Sequence, residues 1–466
     1  MATAFYIAGI VAAIDAVMST RTSQGAIAWA VSLVTFPFVA VPAYLVFGRR
    51  RFEGASHAFK TRRAEIEELI GEVRDRLQPW LVVHHDEPGW HLAVSRLAER
   101  GLTRGNQVEL LINGDATFDS IFAGIARAKD YVLFHFYMIH DDGLGRRAQQ
   151  ALIERARAGV RVHVLYDEVG SKGLSTPYIR ELEKAGVQVT AFKPTQGFRN
   201  RFQLNFRNHR KIVVVDGRVG WVGGHNVGDE YLGLDPDLSP WRDTHLRIEG
   251  PAVQQLQIVA VTDWYWATRT LPRLEWSPLA SPDGDRQVMI LPSGPVGPFE
   301  TASLYFVAAL NAATERVWLS APYFVPDEAV MKSLKLAALR GVDVRILTTG
   351  KGDSLPVQLA GHYFMQELRG LDIAFYAFTP GFLHEKALLI DDRVSVVGTH
   401  NFDNRSFRLN FEVAALVDDS AFAEEMEAMF LRDFEHSEPI DLESFDTRGF
   451  WWHLGVRLAR LAAPVL

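Results

Sequence analysis

The chain has 466 residues, a formal net charge of −7 at pH 7 and no cysteine. Disulfide bonds, cysteine nucleophiles and thiolate metal sites are therefore excluded, and the acidic balance offers no global basic field that would attract nucleic acid. This length accommodates two domains of ordinary size together with appendages. We expect no nucleic-acid partner.

Two apolar segments open the chain. Residues 4–18 are apolar except for Asp15. Residues 26–47 are uncharged and apolar except for Ser32 and Thr35, which is about 22 residues or roughly 33 Å of helix. We expect the second segment to cross a bilayer. The first could be a spanning helix, an interfacial segment or a signal-like apolar region. A signal peptide is disfavoured because no basic region precedes the segment and no clear cleavage site follows it.

Basic residues behind the second segment predict its orientation. Arg49, Arg50 and Arg51 follow directly, and the positive-inside rule places them in the cytoplasm. Two spans would then form a transmembrane hairpin with a short outer loop near Arg21. We therefore expect residues 1–52 to anchor a multi-pass protein in the inner (cytoplasmic) membrane, with its catalytic part facing the cytoplasm.

The next segment, residues 53–105, is predicted to be a linker helix and a connection. From about Ser56 to Gln78, apolar residues recur with helical spacing among charged ones, and Pro79 closes the pattern. The apolar positions are Ile66, Leu69, Val73 and Leu77. Packing of this stripe on the following domain, without a further role, is the favoured interpretation.

Strands then alternate with helices twice over. The first series has a strand near Val108, a helix over 117–129, a strand over 131–139, a helix over 145–158 and a strand over 160–166. The second has strands over 287–291, 317–323 and 342–348, with helices over 300–313 and 328–339. The nearly constant separation of corresponding elements indicates one unit copied twice. Each copy, 106–270 and 271–440, is predicted to be an α/β sandwich.

One motif occurs once in each copy. His209, Lys211 and Asp216 form the pattern H-x-K-x4-D, and His384, Lys386 and Asp391 repeat it. Each motif is followed at the same distance by a glycine turn and an asparagine, Asn226 in the first copy and Asn401 in the second. A single His-x-Lys would more readily be a surface pair. Duplication at matched spacing indicates a functional site.

Strand geometry separates the members of this motif. In a strand, His209 and Lys211 share one face, whereas Asp216 points the other way and lies roughly 17 Å beyond Lys211. We therefore interpret the histidine and lysine as the reactive pair and the aspartates Asp216 and Asp391 as structural. The apolar run between them is typical of a buried strand, and the following glycines allow a tight return that brings Asn226 beside His209.

These motifs resemble the two HKD motifs of the phospholipase D superfamily. The flanking words at 205–211, 228–231 and 401–407 look like its bacterial cardiolipin synthase branch, and the resemblance covers nearly the whole chain. It implies two pseudo-twofold-related α/β sandwich halves behind a transmembrane hairpin. It also implies a membrane-bound phosphatidyltransferase that joins two phosphatidylglycerols into cardiolipin and releases glycerol.

Two other functions stay open from the sequence. A hydrolase of the same fold is the runner-up, because water and a lipid alcohol compete for the same intermediate. An inactive lipid-binding scaffold is disfavoured because both motifs are intact. The sequence does not indicate which histidine attacks, which alcohol accepts the phosphatidyl group, or the oligomeric state.

The implied phosphodiester substrate explains the residue types. Charge accumulates on the phosphoryl oxygens in the transition state, and Lys211, Lys386, Asn226 and Asn401 would supply positive charge and hydrogen-bond donors there. No metal or other cofactor is then expected. One neutral histidine would attack phosphorus to give a phosphohistidine, while the other, protonated, would donate to the leaving oxygen.

Each histidine also needs its second ring nitrogen held, usually by a carboxylate. The strand after each glycine turn offers one at an equivalent place, Asp243 in the first copy and Glu412 in the second. We predict that these two are orienting carboxylates, with a purely structural role as the alternative. His225 and His400 also occupy matching places and would either line the shared cleft or pack in the core.

Two further segments could meet lipid. Arg199, Arg201 and Arg207 stand among aromatic residues before His209, which would suit a clamp for lipid phosphate or a merely solvated basic loop. The C-terminal segment, residues 441–466, places apolar residues opposite basic ones from Arg448 onward. That pattern fits an interfacial helix, and a helix docked on the domain is an equal alternative.

Overall fold

The computed structural model describes residues 2–20, 22–48, 53–82, 89–193, 205–297 and 299–466, with the backbone alone for 53–64. Its helices are α1 (Ala2–Ser19), α2 (Ser23–Thr35), α3 (Pro37–Ala43), α4 (Glu53–Leu77), α5 (Gly89–Ala98), α6 (Asn113–Ala126), α7 (Gly143–Arg157), α8 (Thr176–Lys184), α9 (Ala252–Thr268), α10 (Thr301–Ala312), α11 (Glu328–Leu339), α12 (Leu355–Gln366), α13 (Asn404–Arg408), α14 (Ser420–Glu435) and α15 (Phe450–Leu461).

Its strands are β1 (Thr103–Ile112), β2 (Tyr131–Phe136), β3 (Arg161–Asp167), β4 (Gln188–Phe192), β5 (Arg207–Asn208), β6 (Ile212–Val215), β7 (Val219–Gly223), β8 (Trp241–Arg242), β9 (Thr244–Glu249), β10 (Arg286–Ser293), β11 (Arg316–Ser320), β12 (Phe324–Val325), β13 (Asp343–Thr349), β14 (Ile373–Phe378), β15 (Phe382–Leu383), β16 (Ala387–Ile390), β17 (Val394–Gly398), β18 (Phe402–Asp403), β19 (Asn410–Asp418) and β20 (Ser437–Pro439). These bounds confirm the alternation of strands and helices predicted for both copies.

The N-terminal region is a small packed group of helices. Within the described residues, α1 is the one helix long and apolar enough to cross a membrane. The prediction of a single continuous helix over 26–47 is wrong, because the chain leaves the helical conformation at Phe36 (φ −129°, ψ 56°) between α2 and α3. Pro37 is the physical cause, since a proline disfavours the helical region for the residue before it. Asp15 in α1 is satisfied by Tyr44, whose hydroxyl donates to Oδ2 at 2.8 Å.

The linker helix α4 packs its apolar stripe on the body of the protein, as predicted. Ile66, Val73 and Leu77 are buried. Val73 and Leu77 pack with Ile258 of α9 and with Trp276. This packing stabilises α4, because a mostly charged helix of this length gains little from its own hydrogen bonds in water.

The two copies share one mixed sheet of 16 strands. From its centre, one direction runs β1-β9-β7-β6-β2-β3-β4 and the other runs β10-β19-β17-β16-β11-β13-β14, followed by β20. β1 and β10 pair antiparallel at the centre. The identical order on both sides confirms the predicted duplication and the α/β fold class.

Two very short parallel pairings tie the halves together at the motifs. β5 pairs with β19, and β15 pairs with β8. The N–H of His209 donates to the carbonyl of Phe411 at 2.9 Å, and the N–H of His384 donates to that of Arg242 at 2.8 Å. Each motif therefore begins on a strand of the opposite half, which gives the interface its pseudo-twofold symmetry.

The C-terminal helix α15 combines both predicted alternatives. Val456 is buried and the helix packs against α12, so one face is docked. On the other face, Trp451 and Leu461 are 79% and 74% exposed. The end of the chain is fixed by Arg405, whose backbone N–H donates to the carbonyl of Leu466 at 2.8 Å.

Candidate active site

The reactive part of each motif lies in a short link between strands. β5 ends at Asn208 and β6 begins at Ile212, so His209, Arg210 and Lys211 do not belong to a continuous strand that reaches Asp216. The expectation of one strand through the whole motif is wrong. The reason is that the backbone at His209 is hydrogen-bonded to the other half, and the chain joins the sheet of its own half three residues later.

The two motif aspartates organise loops. Asp216 accepts the N–H groups of Lys129, Asp130 and Tyr131, each at 2.8 Å. Asp391 accepts those of Thr314, Glu315 and Arg316 at distances of 2.8–3.1 Å. These contacts fix the starts of β2 and β11. They are the contacts expected of structural residues.

The histidines are held by carboxylates from the opposite halves. Nδ1 of His209 lies 2.9 and 3.0 Å from the two oxygens of Glu412. Nδ1 of His384 lies 2.8 Å from Oδ2 of Asp243. Both acids are fully buried. Glu412 is in β19, which pairs with the strand before His209, and Asp243 follows β8, which pairs with the strand before His384, so the crossed strands bring the partners together.

Both lysines are buried beside their own histidines. Nζ of Lys211 donates to the carbonyl of His209 at 2.7 Å, and Nζ of Lys386 donates to the carbonyl of His384. Burial lowers the pKa of Lys211 to about 7 and that of Lys386 to about 8, against the opposing effect of nearby carboxylates. A bound anion would restore full protonation of both ammonium groups.

Burial also keeps the imidazoles neutral. It lowers the pKa of His209 to about 4, with Lys211 and Lys386 adding to the effect against Glu412. It likewise lowers the pKa of His384 well below the usual value, with help from Lys386 and Lys211. With an ionised carboxylate on Nδ1, the proton of a neutral ring sits there and the lone pair is on Nε2. Nε2 of each ring is therefore the nitrogen with a free lone pair, as a nucleophile or a proton acceptor requires.

The two asparagines differ in their surroundings. The side chain of Asn226 is engaged, because Oδ1 accepts the N–H of Met138 at 3.3 Å and Nδ2 donates to the hydroxyl of Tyr231 at 2.5 Å. Asn401 is buried, and its Oδ1 has no hydrogen-bond partner among the described residues. Oδ1 of Asn401 is thus an acceptor without a partner, whereas the side chain of Asn226 holds the protein together.

The extra histidines also differ. His225 is fully buried among the rings of Phe118, Tyr231 and His245. Nε2 of His400 lies 2.8 Å from the hydroxyl of Ser293. His225 is therefore a packed residue, whereas His400 belongs to the polar surroundings of the site.

Aromatic rings surround the two histidines. The ring of Tyr137 lies 4.9 Å from that of His209, and the rings of Trp241 and Phe382 lie 5.1 and 5.9 Å from that of His384. Of the predicted phosphate clamp, Arg199 and Arg201 lie outside the described residues. Arg207 is in β5, where its guanidinium donates to the carbonyl of Phe206 at 2.7 Å.

Sequence reasoning missed a buried arginine behind His209. Arg210, the middle residue of the first motif, donates to Asp263 at 2.6 Å and to the backbone carbonyl of Glu412 at 3.0 Å. It therefore fixes the backbone of the residue that orients His209. Its place between the reactive histidine and lysine was the available signal.

A second buried arginine stands behind His384. Arg242 donates to both oxygens of Asp433 at 2.8 and 2.6 Å, and its Nη2 lies 2.9 Å from Glu385. Its Nη1 donates to the backbone carbonyl of Asp243 at 2.8 Å. Each orienting acid is thus fixed by an arginine, although the two arginines occupy different positions in the two copies.

One group of potential metal ligands occurs within the described residues. His140, Asp142 and Glu230 bring ligand atoms within 4.8 Å of one another. The carboxylate of Asp142 already accepts the N–H groups of Gly145 and Asp229 at 2.9 and 2.8 Å. This carboxylate caps α7, and the group lies outside both motifs.

Comparison with known proteins adds sequence relationships to this geometry. A family model described as "Cardiolipin synthase, PLD-like domain" matches residues 121–255 and 306–434, and one described as "Phospholipase_D-nuclease N-terminal" matches residues 7–49. A cardiolipin synthase A from Pseudomonas putida is 47% identical over 99% of this chain and 96% of its own length. One from Pseudomonas fluorescens (strain SBW25) is 48% identical over 98% of this chain and 96% of its own length.

Among solved structures, phosphatidylserine synthase from Haemophilus influenzae Rd KW20 superposes with a TM-score of 0.63 at 13% sequence identity. The match covers 81% of this chain and 100% of that one. At this identity the likeness supports the fold alone.

Proposed function

We propose a reaction for this chain, which belongs to the cardiolipin synthase family of phospholipase D-like proteins. The protein is a phosphatidyltransferase that moves a phosphatidyl group from one phosphatidylglycerol to another, giving cardiolipin and glycerol. Relatives called cardiolipin synthase A that match nearly the full length support the substrate class. The observation that carries the chemistry is the pair of histidines, each held by a carboxylate of the opposite half.

In the first step, Nε2 of one histidine attacks the phosphorus of phosphatidylglycerol. A P–N bond forms, the P–O bond to the glycerol head group breaks, and the other histidine gives its proton to the departing oxygen. Lys211 and Lys386 stabilise the negative charge on the phosphoryl oxygens, and the side-chain amide of Asn401 donates to one of them. The carboxylate across the interface stabilises the positive imidazole of the intermediate.

In the second step, a hydroxyl of another phosphatidylglycerol attacks the phosphatidyl-histidine. The now neutral second histidine takes the hydroxyl proton, the new P–O bond forms and the P–N bond breaks. Cardiolipin leaves, and the histidines return to their starting protonation states. Because the overall reaction exchanges one phosphodiester for another, it is reversible.

The acidic histidine acquires its proton together with the substrate. Burial and the two lysines keep both imidazoles neutral before substrate binds. A phosphodiester brings a negative charge next to the imidazoles, which raises their pKa values. A site of this kind becomes a competent acid only after an anionic substrate has entered.

Two structural features support work at a membrane. α1 is a long apolar helix, and α15 exposes Trp451, Leu458 and Leu461 on the face opposite to its docked side. Such a face inserts into the head-group region of a bilayer. We also propose a two-segment anchor, since α1 packs against α2 and α3. The basic residues Arg49, Arg50 and Arg51 favour a cytoplasmic position for the catalytic part.

The experiment that tests this function uses membranes containing the full chain and phosphatidylglycerol labelled in the head group and the acyl chains. We expect labelled cardiolipin and an equal amount of free glycerol. Membranes with the His209→Ala variant provide the background. Phosphatidic acid with no cardiolipin would identify a hydrolase instead and contradict the proposal.

A further inference from the structure

A cavity lies where the linker helix α4 meets the body of the protein. It has a volume of about 270 Å³, and α4, α5 and α9 form its walls. Its lining is mostly apolar, and the apolar side chains are Ile70, Leu77, Leu81 and Ile258. None of the motif residues lines it, so it is separate from the active site.

Arg100 lines this cavity and forms no ion pair among the described residues. Its Nη1 is fully buried and finds no hydrogen-bond acceptor in the described part of the chain. The buried Arg210 and Arg242, by contrast, lie 2.6 Å from carboxylates. An unpaired charge in an apolar environment costs several kcal/mol. Such a cation is the signature of a site whose anion comes from outside the chain.

The mouth of the cavity is positive. Arg74 and Arg96 also line it, are exposed, and form no ion pair within the described residues. Glu99 is the one acidic side chain in the lining, and it makes no ion pair with any of the three arginines. Burial lowers the pKa of Arg100 to about 10; Arg210 and Arg74 add to this effect, whereas Tyr305 and Glu99 oppose it, and the guanidinium stays charged at neutral pH.

We propose that this cavity binds an anionic amphiphile, with a phosphate-type head group on Arg100 between Arg74 and Arg96. Its alkyl chain would lie along Ile70, Leu77 and Ile258. Small-molecule pockets commonly measure about 300–1,000 Å³, so this cavity takes the head group and part of one chain. The ligand bridges α4 to α5 and α9, and it would therefore fasten the linker to the catalytic body. The proposal does not depend on the catalytic reaction.

The test is calorimetric titration of the full chain, in micelles of a neutral maltoside detergent, with three probes. Octyl phosphate carries both the anion and the chain, inorganic phosphate the anion alone, and octyl glucoside the chain alone. We expect saturable binding of octyl phosphate, on the order of a hundredfold tighter than inorganic phosphate, because each buried methylene contributes about fourfold. Octyl glucoside should give no saturable signal.

Variants locate the binding. Arg100→Gln should weaken octyl phosphate binding about tenfold or more, since a hydrogen bond to a charged group is lost. Arg76→Gln, in α4 but outside the cavity lining, should bind like the wild type. If Arg100→Gln does not fold, Arg74→Gln at the exposed Arg74 replaces it, with an expected loss of about 1.5-fold to fivefold.

Three outcomes would overturn the proposal. Unchanged binding by both Arg100→Gln and Arg74→Gln would place the ligand elsewhere, in the active site for example. Equal affinity for inorganic and octyl phosphate would indicate a site for free anions. Equal affinity for octyl glucoside and octyl phosphate would indicate an apolar cavity that does not recognise charge.

Discussion

The two half-sites carry the same motif at the same spacing, yet their surroundings differ. Both oxygens of Glu412 contact Nδ1 of His209. Glu412 also accepts hydrogen bonds from Thr399 at 2.6 Å and Asn410 at 3.0 Å. Asp243 receives His384 on one oxygen and the N–H of Thr244 on the other at 2.8 Å. The histidine and lysine are therefore the same in the two halves, whereas the residues that support them differ.

This difference has a chemical consequence. Burial raises the pKa of Glu412, but its interactions with His209, His400 and Lys211 outweigh burial and bring it to about 2. A firmly ionised carboxylate stabilises a positive imidazole. Two identical motifs can thus take different roles, one as nucleophile and one as acid, because the groups behind them are unequal.

The largest expected effect on turnover comes from removing either reactive imidazole ring. His209→Ala and His384→Ala should each lower turnover by about 10⁴-fold or more, because one ring attacks and the other donates a proton in the same step. Cardiolipin formation from labelled phosphatidylglycerol is the measurement, and Arg76→Gln is the matched surface control. A near-normal rate in either variant would show that the halves do not form one site.

The next effect concerns the orienting carboxylates. Glu412→Gln and Asp243→Asn should each lower turnover by about 10³-fold to 10⁴-fold, since the amide no longer fixes the tautomer or balances the imidazolium. The loss should be greater for Glu412→Gln because this acid makes more hydrogen bonds in the site. Steady-state rates are compared with thermal unfolding and lipid binding, which should stay close to wild type. Wild-type rates in both variants would make these acids purely structural.

The asparagines give a contrast in kind. Asn401→Ala should lower turnover by about 10²-fold with little change in stability, because its amide is available to the phosphoryl group. Asn226→Ala should instead destabilise the fold by about 1–3 kcal/mol, because the N–H of Met138 loses its acceptor and the buried hydroxyl of Tyr231 loses its donor. Turnover and denaturant unfolding of both variants are measured side by side. Equal effects on both properties would remove the proposed asymmetry.

A smaller effect is expected from pH. Protonated Lys211 and Lys386 attract the anionic substrate, and their pKa values are about 7 and 8, so kcat/KM should fall as pH rises through that range. If His209 is the nucleophile, kcat/KM should also fall on the acid side near pH 4, where His209 gains a proton and loses its lone pair. Lys211→Arg should remove the decline near pH 7 and keep the one near pH 8. An unchanged profile in this variant would contradict the role of Lys211.

Much of the fold was readable from local pattern. The alternation of apolar strands and amphipathic helices predicted both copies, and the motif spacing predicted the duplication. The break at Phe36 was also present in the sequence, as Pro37, but the uncharged, mostly apolar composition of 26–47 concealed it.

The candidate site was only partly readable. The motif residues and the two acids could be named. Which acid meets which histidine depends on strand pairings of only two residues, and the two acid–histidine pairs are 203 and 141 residues apart in the sequence. No local pattern encodes such pairing. The buried arginines Arg210 and Arg242 were missed for the same reason, because their partners Asp263 and Asp433 are remote in sequence.

The most direct test of the crossed arrangement identifies the labelled histidine and its carboxylate in one experiment. Single turnovers of a phosphatidyl substrate with a nitrophenol leaving group are quenched, and peptide mapping identifies the histidine that carries the lipid. This leaving group needs no proton, so only the carboxylate behind the nucleophile should matter. If His209 is labelled, Glu412→Gln should slow formation of the phosphatidyl-histidine and Asp243→Asn should not. If His384 is labelled, the reverse should hold. Slowing by the carboxylate of the same half as the labelled histidine would contradict the crossed site.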